Sequence, residues 1–544
     1  MMKFKQILSL VVASVITVSA LTACGNSAEN NSTSPSKSQA IQDGSTSESE
    51  NASSATSEAT EDAEEGIVFP LEETVKFTGF AAMNGEVALS DTLTWKTMLE
   101  MGNIEVDLTN VLNTDVDEKR NLLLSSGQYP DFFIKANIDA NKYGPEGILI
   151  PLEDLIREYA PNLTALLDER DGWKALKASD GHIYGLPEID LQGFKNHVLW
   201  INQVWLDNLG LKEPTNFEEL YEVLKAFKEQ DANGNGDPND EIPFSDHADS
   251  NVFKWFQYND YVVDQSNFVG YNNGELIYMG TSDSMKELLQ FLAKLYDEGI
   301  MHKDSFTWAA ESWKATAQTT DTFGSFFNNA SFSIVGTEAD EDYTIVSPFH
   351  AAPRGAFSAS PKAFAITDKC ENPEILIAWI DYLYSEEGGK LAWMGVEGET
   401  YEYYEDGTWG WILGNGYGDD VSTIRSTATM QGARVHPSVQ PEEWHNMSPE
   451  IDPEESYYNA QRAEKVFPYV ELIPTLALTE EESEIVSTVK TDVDAYIKEY
   501  TAKVIIGELS LEDSWEEYLA TLKTMNVDKL IACYQAAYER ATAE

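Results

Sequence analysis

Thiols, paired histidines and positive charge are what this 544-residue chain has least of. It carries three cysteines, none in a CxxC pair, and seven histidines (His182, His197, His247, His302, His350, His436 and His445) without HExxH or paired spacing. A zinc site therefore has no support in the sequence. Lys and Arg number 36 against 93 Asp and Glu, a formal net charge of -57. Such a field repels nucleic acid and anionic lipid surfaces. It also disfavours polyanionic ligands such as uronate polymers unless a basic cluster or a metal compensates. Long apolar runs are scarce as well. Only residues 7–20 form an uncharged, mostly apolar stretch, shorter than the ~20 residues a membrane-spanning helix needs.

That one run explains itself by its flanks. Lys3 and Lys5 precede it, and Leu21-Thr22-Ala23-Cys24-Gly25 follow. Basic, apolar and then small residues are the order of a secretory signal. A cysteine directly after the small residues resembles a bacterial lipobox, which implies cleavage before Cys24 and lipidation of its side chain. The segment 24–65 is rich in Ser, Thr, Asn, Ala and Glu, with Ile41 its only large aliphatic residue and no aromatic. It cannot bury enough apolar surface to offset its ordering entropy, so it reads as a disordered spacer. The expected protein is a body outside the cell, moored to the membrane by lipid.

The body, from about residue 66, is too long for one core, so two lobes are expected. Thirteen Trp, 25 Tyr and 23 Phe supply apolar surface and stacking faces. Strand-like and helical patterns alternate from the start: residues 75–80 (VKFTGF), a helix over 92–101, a strand at 104–108, a helix over 117–125, and a strand from Phe132. This alternation predicts an α/β lobe with a largely parallel sheet. Residues 198–202 (VLWIN) read as a buried strand. Thr215 and Glu218 form an expected capping box for a helix whose inner face is Phe217, Leu220, Tyr221, Leu224 and Phe227. A second helix spans 283–298. A third starts at Asn372-Pro373 and ends at Gly388, and the chain is mostly helical after Glu480. Trp205, Trp379 and Trp393 fall on helical patterns and are assigned to the core. Cys370 and Cys533 lie far apart in sequence; a disulfide is open to an exported protein, but such pairs are more often separate buried thiols.

One segment carries metal chemistry. In Asp231-Ala-Asn233-Gly-Asn235-Gly236-Asp237-Pro-Asn239-Asp240-Glu241, oxygen donors occupy positions one, three and five with glycine at six. This is how an EF-hand loop wraps a hard cation. The closing acids fall at positions ten and eleven, so the loop is shorter than an EF-hand and has no partner motif. Asp231, Asn233, Asn235, Asp240 and Glu241, with the Asp237 carbonyl, are the expected ligands of a structural calcium ion. The alternative is a polar turn that binds nothing.

The segments LLLSSGQYPDFF, IPLEDLIREYAPNL, SDGHIYGLP, IDYLYSEEGGKLAWMGVEG and above all the continuous run 201–244 resemble the lipid-anchored, family-one solute-binding proteins of ABC sugar importers, including the oligosaccharide and alginate binders. The resemblance covers nearly all of 67–540. It implies a two-lobe α/β fold of the periplasmic-binding-protein type, close to type II, with hinge-crossing strands, a central ligand cleft and a calcium loop away from that cleft. It implies no catalysis, and as partners an oligosaccharide, a membrane permease and the membrane itself, with the body a monomer. The expected division is 1–23 signal peptide, 24–65 tether, 66–195 and 323–405 lobe one, and 196–322 and 406–544 lobe two.

Sugar capture calls for an aromatic face against a pyranose ring and planar polar groups for its hydroxyls. Aromatics in irregular segments are the candidates: Trp255, Tyr258, Trp308, Trp313, Tyr401, Trp409 and Trp411. Glu397, between glycines, is a candidate hydroxyl acceptor. Two other classes compete. A secreted glycoside hydrolase would need two carboxylates ~5–9.5 Å apart, and no pair is singled out by the sequence. A binder of peptides or other non-sugar solutes would need opposed charged anchors.

Overall fold

The structure is a computed structural model describing residues 66–543 apart from 84–86, 171, 190–196, 249, 251, 259–260, 273, 350–359, 434–435 and 466–475. The signal segment, Cys24 and the tether therefore lie outside the described residues. Among those described, no helix is long and apolar enough to cross a membrane.

The first sheet opens with β1 (Val75–Met83), β2 (Ile104–Leu112), β3 (Phe132–Ile134) and β4 (Leu186–Glu188). β1 pairs in parallel with β2 and with β3. Helices Leu93–Gly102 and Val116–Ser126 make the crossovers, as parallel neighbours require. Thr92 caps the first of these: its side chain accepts from the Trp95 N–H. The second sheet is built on β5 (Val198–Asn202), all five residues of which are buried. A separate antiparallel meander follows, made of β6 (Val262–Asp264), β7 (Val269–Asn272) and β8 (Glu275–Tyr278). β9 (Ser325–Asn328) and β10 (Tyr343–Ile345) then flank β5 in antiparallel pairing. The chain returns to the first sheet as β11 (Ser360–Ile366), which lies antiparallel between β3 and β4. The order is β2-β1-β3-β11-β4, so the sheet is mixed where a largely parallel one was expected. A small hairpin, β12 (Tyr401–Tyr403) with β13 (Trp409–Trp411), stands apart.

Each sheet has its own core. Around the first, Phe77, Phe132, Ile134, Phe364 and Ile366 meet Trp95, Trp379 and Ile380 from the covering helices. Around the second, Leu199, Ile201, Trp205, Leu224 and Phe227 continue through the helix Asp283–Asp297 into the terminal helices Glu480–Ile505, Leu511–Thr524 and Val527–Thr542. The terminal helices thus belong to the second body. So do β9 and β10, which pair with β5.

Local differences have local reasons. The helix Phe217–Glu229 is capped by Asn216, and Glu219 reaches back to Thr215 (2.7 Å to its hydroxyl), so the cap sits one residue beyond the expected Thr215–Glu218 box. A reciprocal capping box occurs instead at Thr479 and Glu482. The helix begun by Pro373 ends at Asp381. After a short 3-10 turn Ser385 caps a new helix, Glu386–Trp393, with Gly388 inside it. Trp205 and Trp379 are core as expected, and Trp393 is partly buried against two cores. Cys370 and Cys533 are free thiols.

Candidate functional site

In open α/β sheets, ligands meet the carboxyl ends of the parallel strands. At that end of β3 the backbone is unusual: Lys135 and Asn137 have φ of 51° and 50°, the left-handed region that side-chain-bearing residues seldom adopt. Arg120, buried, holds the bend by donating to the carbonyls of Ala136 and Asn137, each at 2.7 Å. At the end of β4, Glu188 is 4% exposed. Its carboxylate accepts the His436 N–H at 3.2 Å. The His436 ring meets the Ser438 hydroxyl at 2.9 Å, and Trp393 donates to the same hydroxyl at 3.1 Å. This polar group lies where the chain leaves the first sheet.

A second polar group lies where the chain enters the second sheet. Lys254, on the 3-10 turn Val252–Tyr258, is 3% exposed. Its ammonium lies 2.5 Å from the Asp246 carboxylate and 4.9 Å from the centre of the Phe327 ring, and it also donates to Ser250. Burial pushes the Lys254 pKa down while Asp246 opposes the shift. Burial and then the Lys254 charge hold the His197 imidazole below its usual pKa, and Asp246, His247 and Arg462 act on it too. Asp246 also accepts the His247 N–H at 3.0 Å. Arg462 is 2% exposed, with its guanidinium 4.7 Å over the Tyr458 ring. A buried ion pair of this kind is a poor device for stability alone, because desolvating both charges cancels most of their attraction.

The aromatic candidates sort by burial. Trp255 is enclosed by Phe244, Phe327 and Phe291, with ring centres 4.7–5.9 Å away. The Tyr258 hydroxyl accepts from Leu199 N–H at 2.8 Å and donates to the Val346 carbonyl at 3.0 Å, bracing β5. Trp313 donates to Ser245 at 2.9 Å and lies 5.2 Å from the His247 ring. Tyr401, Trp409 and Trp411 form a separate cluster with Trp444, and Trp409 donates to the Glu443 carbonyl at 2.7 Å. All six are buried. Trp308 is half-buried, 4.6 Å from His302, and its carbonyl accepts from Ala248 beside His247. Glu397 is exposed. The structure thus groups Trp308 and Trp313 near the segment 245–248 and sets Tyr401, Trp409 and Trp411 apart. Sequence reasoning passed over Asp246, Lys254 and Arg462. Its missed signal was Lys254 itself, a charge inside the aromatic run VFKWFQY.

The 231–241 loop bends at Gly234 and Gly236, with φ of 72° and 94°. Gly236 N–H donates to Asp231 at 3.0 Å, Asp237 N–H to Asn235 at 2.7 Å, and Ala232 N–H to Glu241 at 2.9 Å. The Asn233 and Asn235 amides donate to the two Asp240 oxygens at 3.3 and 2.7 Å. Asp231 Oδ1 and Glu241 Oε2 are buried without a hydrogen-bond partner. Burial raises the Glu241 pKa, and the Asp240 charge adds to it. Two orphaned carboxylate oxygens in an oxygen-rich loop fit a hard cation. Among the described residues, no group of three or more His, Cys, Asp or Glu is gathered to hold a metal, so this loop would need its asparagines and a carbonyl as well.

Known proteins agree with this architecture. The fructooligosaccharide ABC transporter substrate-binding protein FusA of Streptococcus pneumoniae serotype 4 is 27% identical over 521 residues, spanning 88% of this chain and 93% of FusA. Solved structures of FusA, with kestose and as an EF-hand mutant with fructo-nystose, match with TM-score 0.63 and 24% identity over 86% of this chain and 99% of theirs. An HMO-binding, ABC-transporter-associated solute-binding protein of Bifidobacterium longum infantis ATCC 15697 matches at TM-score 0.68 and 18% identity, over 87% and 100%. Alginate-binding protein AlgQ2 without calcium ion matches at 0.58 and 23%, also over 87% and 100%. These likenesses establish the two-lobe fold. Residues 98–390 match the family described as bacterial extracellular solute-binding protein, and to that family the chain belongs.

Proposed function

We propose that this protein is the lipid-anchored capture component of an ABC importer. It takes an oligosaccharide between the wall at Lys135, Glu188 and His436 and the wall at His197, Asp246, Lys254 and Arg462, and hands it unaltered to a membrane permease. Sequence similarity to FusA along almost the whole of both chains is the observation that carries this reading. The fixed polar walls supply its chemistry. The first lobe comprises residues 66–189 and the return from Ser360; the second comprises 197–349 and the terminal helices. Trp308 is the aromatic placed to stack on a ring, and Trp313 positions His247. Closure follows if the solute binds the closed form more tightly, since only a difference in affinity shifts the balance. Lipidation at Cys24 holds the monomeric body at the outer face of the membrane.

Asp231, Asn233, Asn235, Asp240 and Glu241, with the Asp237 carbonyl, would hold calcium. The ion would neutralise the clustered acids and take the asparagine oxygens in place of the N–H groups now given to Asp240. A thermal-shift screen of neutral and uronic oligosaccharides, with calcium and with chelator, tests both halves. One oligosaccharide class should raise the melting temperature, and chelation should lower it. Hydrolysis of the bound sugar would overturn the transport reading in favour of a glycosidase.

A further inference from the structure

The calcium loop and the second ligand wall are opposite ends of one paired segment. Glu241 closes the loop, and the next residues run Ile242-Pro243-Phe244-Ser245 to Asp246 and His247 of the wall. Alongside them, in parallel, the chain runs from Thr322 through β9 to Asn328. Ile242 N–H donates to Thr322 O at 2.7 Å, Gly324 N–H to Ile242 O at 2.9 Å, and Ser245 N–H to Ser325 O at 3.2 Å. The Ser325 hydroxyl adds a bond of 2.6 Å to Pro243 O, and Asn233 in the loop reaches Asp321 O at 3.0 Å. Four residues separate Glu241 from Asp246, a span of about 16 Å in extended chain. Beyond Asn328, Asn329 O accepts from Arg462.

We infer that calcium binding and solute binding strengthen each other through this ladder, with Ser325 as the positioning residue that fixes its register. The inference rests on the proposed function for both sites. Without the ion, the Asp231, Asp240 and Glu241 charges oppose closing of the loop, so one end of the ladder is loosely held. The ion orders that end; a solute on Asp246, His247 and Lys254 orders the other. Whichever binds first bears the ordering cost for both, and the coupling is reciprocal.

Three measurements on the lipid-free body, residues 25–544, test this. Calcium added to the chelated protein should slow amide exchange in 231–241 and also in 244–248 and 325–329; protection confined to the loop overturns the coupling. Kestose affinity should rise about tenfold with calcium, and calcium affinity by the same factor with kestose; equal affinities overturn it. Absence of calcium binding defeats the metal assignment and the inference together. If kestose does not bind, the fault lies in the solute reading, and the exchange experiment alone decides the coupling. S325A, whose loop keeps every ligand, should bind calcium as before yet lose most of the protection at 325–329. Full protection there would remove Ser325 from its role.

Discussion

Two irregular regions, the 231–241 loop and the β12–β13 hairpin, both held functional candidates in sequence, and the folded chain treats them in opposite ways. The loop is polar, exposed over most of its length and closed by hydrogen bonds around two buried carboxylate oxygens without partners. The hairpin turns its tryptophans inward: Trp409 is 0% and Trp411 1% exposed, and their rings meet at 5.2 Å. Polar donors at fixed spacing on a bend do little for a core, so their pattern survives as a binding signal. Tryptophans serve core and ligand alike, and their position in the chain does not say which.

The hairpin side of this comparison gives the largest expected effect. Trp409→Ala removes a fully buried indole that also holds the Glu443 carbonyl, and should cost ~3–5 kcal/mol of stability. Denaturant unfolding measures it, and solute affinity of the surviving folded protein should be unchanged. An affinity change without loss of stability would move the hairpin into the ligand cleft.

Next comes the second wall. Asp246→Ala leaves the Lys254 ammonium buried and unpaired, at a cost of ~3 kcal/mol. The double variant Asp246→Ala with Lys254→Met should be the more stable of the two. The pH dependence has a definite sign. Burial depresses the Lys254 pKa in the folded state, and removing Asp246 depresses it further. The unfolded chain then binds more protons, so stability rises with pH. A defect that does not shrink toward alkaline pH would show that Lys254 is not charged at that position.

The loop follows. With calcium at about 100 times its dissociation constant, the expected gain is ~2.7 kcal/mol, read as a melting-temperature difference between calcium and chelator. Glu241→Gln should abolish the difference. A cation-independent melting curve for the unaltered chain would make the loop a mere turn.

These contrasts also mark what the sequence made legible. Strand and helix alternation located the starts of β1 to β3 and both ends of their crossover helices to within a residue, because each element's periodicity is local, while β1 and β2 run three and four residues further than their patterns. The antiparallel entry of β11 between β3 and β4 was not legible. Nor was the membership of β9 and β10 in the second sheet, since pairing across more than 100 residues leaves no local mark. At the site, the loop donors could be read from spacing alone. Asp246 and Arg462 could not, because ordinary surface charges outnumber them, and Lys254 left only the mark of a charge inside an aromatic run.

A smaller effect concerns a single buried carboxyl. Asp340 is 2% exposed, and its carboxylate accepts from the Ser331 hydroxyl and the Phe332 N–H. Burial is the main cause of a pKa raised to about 6, and the Glu454 charge adds to it. A carboxyl whose folded pKa exceeds its unfolded value of 3.8 stabilises the fold below the lower value and ceases to as pH rises through the higher one. Asp340→Asn should therefore melt above the unaltered chain at pH 7, with the gap closing toward pH 4. A gap that is constant from pH 4 to 7 would mean the carboxyl is ionised throughout.

The least costly change is the most informative about ligand. Trp308 is half-buried, shields His302 on one face and has lower structural demands than the enclosed tryptophans. Trp308→Ala should cost roughly 1 kcal/mol of stability, and Trp308→Phe less, since a ring remains against His302. If the indole stacks on a sugar, affinity should drop about tenfold for the alanine variant, by the ~1.4 kcal/mol that corresponds to one decade, and be largely recovered with phenylalanine. Titration calorimetry with the oligosaccharide class found in the thermal screen reads both variants. Equal affinity in all three proteins would place the ring outside the cleft and leave recognition to Asp246, Lys254 and Arg462, groups that discriminate by hydroxyl geometry and not by ring faces. The binding site would then be as polar as the 231–241 loop, and the contrast between loop and hairpin would extend to every candidate tryptophan.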